Sequence, residues 1–552
     1  MKYIKIVFLV LSLFVTQFSF AAEAPKDEWY PFYFPEKLDP DSPANIGKLV
    51  LDPPAGKHGF CKVKDGHFYF EDGTRAKFWG TNLCMSACFP DKKQAEALAE
   101  RIAFFGFNAV RLTHMDFYFE PKGIFEDALS NAKDPQIKKT TKFSEKQLDR
   151  LDYLIYQLKQ RGIYTDMTLL FRRHFTKADG VIDADKLDGG AKPVSMFDPK
   201  LIHLQKEYAK ALLTHYNSYT KLRYCDDPAI ALVEITNENS IRKYKMGKLP
   251  EYYRKEFYKL TKSFPKDKRI DLIEKRYFDE MTDFLRNKVQ VKVPISGSQY
   301  SSAKSQESCD FIDKHAYWDH PRFSHKNWDR DDFKIHNKSM LLDKDLGIIN
   351  PLIVASREAM KQSKPFTVTE WNHCYPNQYA YEAPVLVACE ALKYDWNGLF
   401  QFDYKAFEHE NDIFDYFETI ANPQKLILTS LGGLIFLKGE HIEREIKDGI
   451  FTINTPSLSA AVGFIKNIPI TLRPFIITAD QNGAVILLKQ GEKYILFAIS
   501  EVKNTESGWN PDRKFTWGKP PVLLKRINVA VQRNNKTIRV DLSKSPFTEI
   551  NY

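Results

Sequence analysis

Along most of the chain, short apolar runs of period two alternate with stretches of period 3.6. Apolar, β-branched segments at 79–83, 108–116, 163–171, 230–237, 293–299, 311–318, 366–370 and 398–404 read as strands. Between them, Ala95, Leu98, Ile102 and Phe105 share one face of a helix over 91–105. Leu148, Leu151, Ile155 and Leu158 line a second helix, which Ser144 opens with Gln147 in a capping-box spacing. Gly106 and Gly162 stand where these two helices should stop. Eight strands with helices between them predict an α/β fold, a (β/α)8 TIM barrel. Ahead of it, alternating aromatics at 67–70 run into Asp72-Gly73, which predicts a hairpin. Beyond about Gly439 the helical period is absent. Segments at 450–454, 475–479, 484–489, 493–499 and 537–541 alternate or run apolar, and predict a smaller C-terminal β-sandwich.

The ends and the composition refine this picture. Lys2 and Lys5 precede an apolar stretch over 6–20, and Ser19-Phe-Ala21 offers small residues for cleavage. The expected organisation is a signal peptide over 1–21, an extended arm over 22–59, the catalytic barrel over 60–438 and the sandwich over 439–552. The mature chain is then exported, to the periplasm or beyond the cell, with no later segment able to cross a bilayer. The formal charge of +9 becomes +7 without Lys2 and Lys5, too diffuse an excess to argue for a nucleic-acid partner. The seven cysteines have no zinc-ribbon or redox spacing, and free buried thiols are expected over disulfides.

Two strands end in carboxylates. Ala231-Leu-Val-Glu-Ile-Thr-Asn-Glu-Asn239 places Glu238 where the fourth strand runs out, and Phe366-Thr-Val-Thr-Glu-Trp-Asn372 does the same for Glu370 on the seventh. The carboxyl ends of the strands form the catalytic rim of such a barrel. Two facing carboxylates are what cleavage of a glycosidic bond requires. In a retaining mechanism Glu370 attacks the anomeric carbon and must be ionised, which Arg111 and the Tyr317 hydroxyl would favour. Glu238 serves as acid and then base, and the charge of Glu370 is expected to raise its pKa.

Arg111, Asn237-Glu238, His315-x-Tyr317 and Glu370 together resemble the clan A retaining glycoside hydrolases, most closely glycoside hydrolase family 5, over roughly residues 60–435. Asn239 stands where that family usually has proline, and Phe402 or Tyr404 stands where it has a tryptophan on strand eight. The resemblance implies a carbohydrate substrate, no cofactor and no catalytic metal. Substrate contacts are expected from Asn82, Arg111, His114, Asp116, Asn237, His315, Tyr317, Trp371 and Phe402. Glu234 shares the inward parity of Glu238 and should be a buried ion-pair partner.

Long connections at 117–143, 172–200, 240–275 and 319–350 all leave from the carboxyl ends of strands. The third carries eleven basic residues between Ile241 and Arg269 against three acidic ones. That run is either a solvated helical face or a positive wall that steers an anionic glycan. A transglycosidase with the same residues and a carbohydrate-binding barrel without turnover are the alternatives; a metal hydrolase is a more distant one.

Overall fold

The computed structural model describes residues 29–439, apart from 33, 36, 43, 118–122, 127–137, 330–331, 341–347, 378, 408–415 and 421. Outside that span it describes strand segments and a few adjoining residues. Eight strands share one parallel sheet: Phe78–Cys84 (β1), Ala109–Thr113 (β2), Tyr164–Leu170 (β3), Ile230–Thr236 (β4), Ile295–Ser296 (β5), Ile312–Trp318 (β6), Phe366–His373 (β7) and Gly398–Lys405 (β8). Their order is β5-β4-β3-β2-β1-β8-β7-β6, and a parallel bridge from Ser296 to Phe311 joins the two edges. The sheet is therefore a (β/α)8 barrel. β5 is shorter than the apolar run predicts, in keeping with Pro294, which has no N–H for the ladder.

The helices are Lys92–Phe104 (α1), Glu145–Gln160 (α2), Pro199–Leu213 (α3), Glu251–Leu260 (α4), Arg269–Phe284 (α5), Ile349–Lys361 (α6), Glu382–Lys393 (α7) and Pro423–Lys438 (α8). α4 and the start of α5 occupy the long connection after strand four, and bury Tyr253, Phe257 and Ile273. Ser144 accepts from the Gln147 N–H as a cap, but the Gln147 side chain donates to the Gly123 carbonyl instead of returning to Ser144. The reciprocal box is at Asp91 and Gln94, opening α1.

The hairpin lies one turn earlier than expected. Cys61–Lys64 pairs with His67–Phe70 around Asp65 and Gly66, whose φ angles of 51° and 76° give the two-residue turn that suits the twist of the strands. The Asp72-Gly73 turn leads only to a bridge between Tyr69 and Arg75. Phe68 meets Phe311 at 5.3 Å and Phe70 stacks on Tyr164 at 5.0 Å, so the hairpin plugs the amino end of the barrel with aromatic rings. That plug leaves the opposite end for polar groups.

Trp79 on β1 and Trp371 on β7 both point outward, into the helix layer, with ring centroids 5.7 Å apart. Both are fully buried. Trp371 therefore packs behind the sheet and does not face the opening, which corrects its assignment as a substrate contact. Gly432 and Gly433 let α8 approach: a Cβ on Gly432 would lie 2.5 Å from the Pro384 carbonyl oxygen and 2.8 Å from the Trp79 ring. All seven cysteines are buried free thiols. Among the described residues no helix is long and apolar enough to cross a membrane.

Beyond α8, His441–Lys447, Ile450–Asn454, Ser459–Gly463, Ala484–Gln490, Lys493–Ile499 and Phe547–Asn551 form a six-stranded sheet, antiparallel throughout. Val522–Lys525 pairs with Val502–Asn504 and with Trp29–Phe32 of the N-terminal arm, which also contains a helical turn at Gly47–Val50. Asn528–Arg533 pairs with Lys536–Asp541 and with Gln17–Phe20. The strand expected at 475–479 lies outside the described residues, as does the expected leader apart from Gln17–Phe20.

Because α8 seats on Trp79 through two glycines, Gly432→Ala should cost about 1–3 kcal/mol by overpacking. A lower denaturant midpoint at an unchanged slope would show it; an unchanged midpoint would mean that the contact can yield.

Candidate active site

The site is built upward from one buried cation. Arg111, on β2, is fully buried and points into the barrel. Its Nε and Nη2 donate to the two Glu234 oxygens at 2.9 and 2.7 Å. Nη1 reaches Asn82 Oδ1 at 3.0 Å and Glu370 Oε1 at 2.8 Å, and Nη2 also reaches Asn237 Oδ1 at 2.7 Å. A guanidinium supplies this fork of donors where an ammonium could not. Burial alone would weaken its charge, but Glu234 and Glu370 raise its pKa well above the ordinary value. Glu234 is thus the buried ion-pair partner its parity indicates; Arg111 outweighs burial and lowers its pKa. Asp166 lies in the same layer, and burial together with Glu234 raises its pKa strongly.

Glu370 is aimed by an irregularity in β7. Lys314 pairs with Val368 but His315 pairs with Glu370, one residue further on than even spacing allows. Thr369 and Glu370 both face inward across this bulge, and Trp371 turns out. Arg111 donates to one Glu370 oxygen and the Tyr317 hydroxyl donates to the other. Both oxygens are therefore held, and the side chain is only 5% exposed.

Glu238 follows the last residues of β4 in a left-handed conformation, φ 45°, uncommon for a non-glycine residue. Its N–H donates to Gln299 Oε1 at 2.7 Å. The next N–H, on Asn239, donates to Ser298 Oγ at 2.8 Å, a bond that a proline here could not make. The Glu238 side chain is 27% exposed, the more open of the two carboxylates. One oxygen of Glu238, one of Glu370 and a His315 nitrogen all lie within 4.8 Å of one another. Such a trio could bracket a cation, but Arg111 and Tyr317 already donate to both Glu370 oxygens.

His315 Nδ1 lies 2.8 Å from Glu238 and 3.3 Å from Glu370, while Nε2 lies 3.1 Å from Thr369 Oγ1. Burial pushes the imidazole pKa down, but Glu370, Glu238 and Asp313 raise it above 6.5. Asp313, two residues below His315, accepts from Thr367, Thr369 and Gln299. Glu238 departs from expectation. Burial pushes its pKa up, but the His315 hydrogen bond and charge, Lys192 and the Tyr300 hydroxyl draw it down to about 2. Below the His315 pKa the proton of this pair is favoured on His315, one hydrogen bond from Glu238. The expected rise failed because repulsion from Glu370 is outweighed by a cation nearer to hand.

The other expected contacts divide. His315, Tyr317, Asn237 and Arg111 converge on the carboxylate pair. His114 follows the end of β2 with φ 61°, and its ring lies against Phe171, 6.0 Å from Phe402. Burial and Arg111 lower its pKa well below the ordinary value, so it is neutral. Phe402 sits 5.8 Å from the Tyr317 ring. Asp116 and Asn82 do not serve as expected. The Asp116 carboxylate is buried and accepts from the N–H groups of Phe171, Arg172 and Arg173, so it pins the exit of β3. Asn82 donates to the Thr369 and Gln401 carbonyls and accepts from Arg111, so it braces the guanidinium from below.

Lys192 and Tyr300 are residues that the pattern of the sequence did not single out. Both lie in irregular connections, where periodicity carries no signal. Asp313 could have been found, since it shares inward parity with His315 and Tyr317. The basic run after β4 is largely a helical surface: Arg242 pairs with Asp271 at 2.6 Å and Lys255 with Glu251 at 2.7 Å. Lys243 lies 4.5 Å over the Tyr300 ring.

No family model and no curated protein matches the chain. Among solved structures it is similar to an endo-β-1,4-mannanase from Thermotoga petrophila, with a TM-score of 0.47 and 14% identity over 85% of this chain and 98% of that one. An endo-1,4-β-mannanase from Rhizomucor miehei gives 0.47 and 15% over 68% and 99%. An exo-β-1,4-mannosidase from an Opitutaceae bacterium gives 0.39 and 15% over 63% and 55%.

The shared proton sets a pH dependence. It is present below the folded-state pKa of His315 and is lost as pH rises through that value, which lies above 6.5. The alkaline limb of kcat/KM should therefore fall above pH 6.5. In His315→Gln the main group lowering the Glu238 pKa is gone, and the limb should move. A pH–rate profile that is the same in both proteins would show that His315 does not hold the proton.

Proposed function

We propose that this chain is an exported retaining glycoside hydrolase of the clan A, family 5 type, cleaving β-glycosidic bonds by double displacement. One observation carries the reading: two carboxylates from β4 and β7 approach within 4.8 Å at one opening, with an arginine and a tyrosine on the more buried of them. Retaining enzymes keep the pair about 5–5.5 Å apart, and a wider gap would be needed to admit water for inversion.

The residues then act in order. Glu370, oriented by Arg111 and Tyr317, attacks the anomeric carbon, and the bond to the leaving oxygen breaks. That oxygen takes a proton from Glu238, which Glu238 draws from His315 across their 2.8 Å hydrogen bond. Glu370 is now a neutral ester. Glu238, ionised again, removes a proton from water, which attacks the anomeric carbon and restores the Glu370 carboxylate. Asn237, held through Oδ1 by Arg111, is placed to donate its amide to a sugar hydroxyl.

An anionic glycan would meet Lys192 rather than the strand-four run. Lys192 forms no salt bridge among the described residues, and burial lowers its pKa to about 8 against the pull of Glu238, Asp116 and Glu370. The C-terminal strands support a sandwich that braces the barrel, and the charged, apolar start of the chain supports export.

The test is mechanism-based. A 2-fluoro glycoside should label Glu370, found by peptide mass analysis, and the product should keep the β-anomeric configuration by NMR. Glu238→Gln should lower kcat by ~10²–10⁴-fold on substrates with poor leaving groups, and far less on an activated aryl glycoside. An inverted product, or a label elsewhere, would overturn the double displacement.

A further inference from the structure

The connection after β6 carries an aromatic surface that the catalytic chemistry does not use. Arg322–Phe323 pairs with Phe333–Lys334, and Trp328 lies at the tip between them. Its side chain is 52% exposed and its backbone is left-handed, φ 64°, a conformation costly for a bulky residue. Leaving half an indole in water also forgoes hydrophobic free energy that burial would supply. Two costs at one residue call for a compensating role.

The position of Trp328 indicates that role. Its ring lies 5.5 Å from His320, 5.5 Å from Phe323 and 5.7 Å from Tyr416. His320 lies 5.8 Å from Tyr317, whose hydroxyl donates to Glu370. Rings therefore run without a break from the nucleophile to the exposed indole. The base of the connection is well held: Asp319 accepts from the N–H groups of His336 and Asn337 and from Asn377 Nδ2, at 2.7, 2.7 and 2.9 Å.

We infer that Trp328, backed by His320, Phe323 and Tyr416, is an outer subsite on which a sugar ring of the substrate stacks, one short oligosaccharide's reach from the cleaved bond. An indole face is apolar and electron-rich, and matches the C–H face of a pyranose. Continuity with Tyr317 makes the occupant another unit of the glycan being cut. The substrate is then a chain rather than a single terminal sugar on a small aglycone. This inference rests on the glycosidase reading, but it can fail separately.

The experiment uses the full chain and a ladder of β-1,4-linked oligosaccharides, from disaccharide to hexasaccharide, of glucose, mannose and xylose. In the native protein kcat/KM should rise with length. In Trp328→Ala the ratio of kcat/KM for hexasaccharide over disaccharide should fall at least tenfold, through KM. Trp328→Tyr, which keeps an aromatic face, should recover most of the ratio and guards against a folding defect in the alanine variant. A ratio that Trp328→Ala leaves unchanged would overturn the subsite. Should the native protein cleave none of these glycans, the same ladder is read as dissociation constants. Tenfold weaker binding of a hexasaccharide by Trp328→Ala would then support the platform while the hydrolase reading failed. Equal binding by both proteins, or none by either, would overturn it.

Discussion

A guanidinium with no access to water, satisfied by four side chains, holds the working end of this barrel together. Arg111 ties β2 to β1 through Asn82, to β4 through Glu234 and Asn237, and to β7 through Glu370. Burying such a charge is tolerable only when its donors are matched. The matching fixes four strands relative to one another to within hydrogen-bond tolerance. Removing one partner would leave a charge stranded in a medium of low polarity, which costs about 3–5 kcal/mol. The Glu370 carboxylate is thus part of the structural network, and its place is set by the barrel itself.

Above that layer the arrangement is electrostatic rather than covalently demanding. Glu238 and His315 shift in opposite directions because each faces the other, so the location of their proton belongs to the pair and not to either residue. His315 stands between Glu238 and Glu370 because the β7 bulge brings Glu370 into register with it. The same bulge turns Trp371 away, into the helix layer, where it packs against Trp79. One extra residue in a strand therefore aims the Glu370 carboxylate and supplies a core tryptophan.

The two ends of the barrel divide the work. Phe68, Phe70, Phe78, Tyr164 and Phe311 fill the amino end of the barrel with apolar rings. At the carboxyl end the connections contribute both polar groups and aromatic rings. Polar groups such as Tyr300 and Lys192 stand near Glu238, and bare rings run outward from Tyr317.

The alternation of apolar periods determined the barrel, because a strand buried on both faces and a helix packed on one leave different spacings in any sequence. The two glutamates were legible for a related reason: each terminates such a run, and a strand end in this fold is a rim position. Arg111 and His315-x-Tyr317 came from the family resemblance, and His315 and Tyr317 also share the parity of their strand. What parity could not supply was anything that breaks it. The bulge at Thr369 that brings Glu370 inward, the left-handed turn at Glu238, and the inward braces that make Asn82 and Asp116 partners of the protein depend on which groups meet across strands. The raised pKa of His315 is of the same kind, since burial, Glu370, Glu238 and Asp313 set it at once. Those distances exist only after closure of the ring.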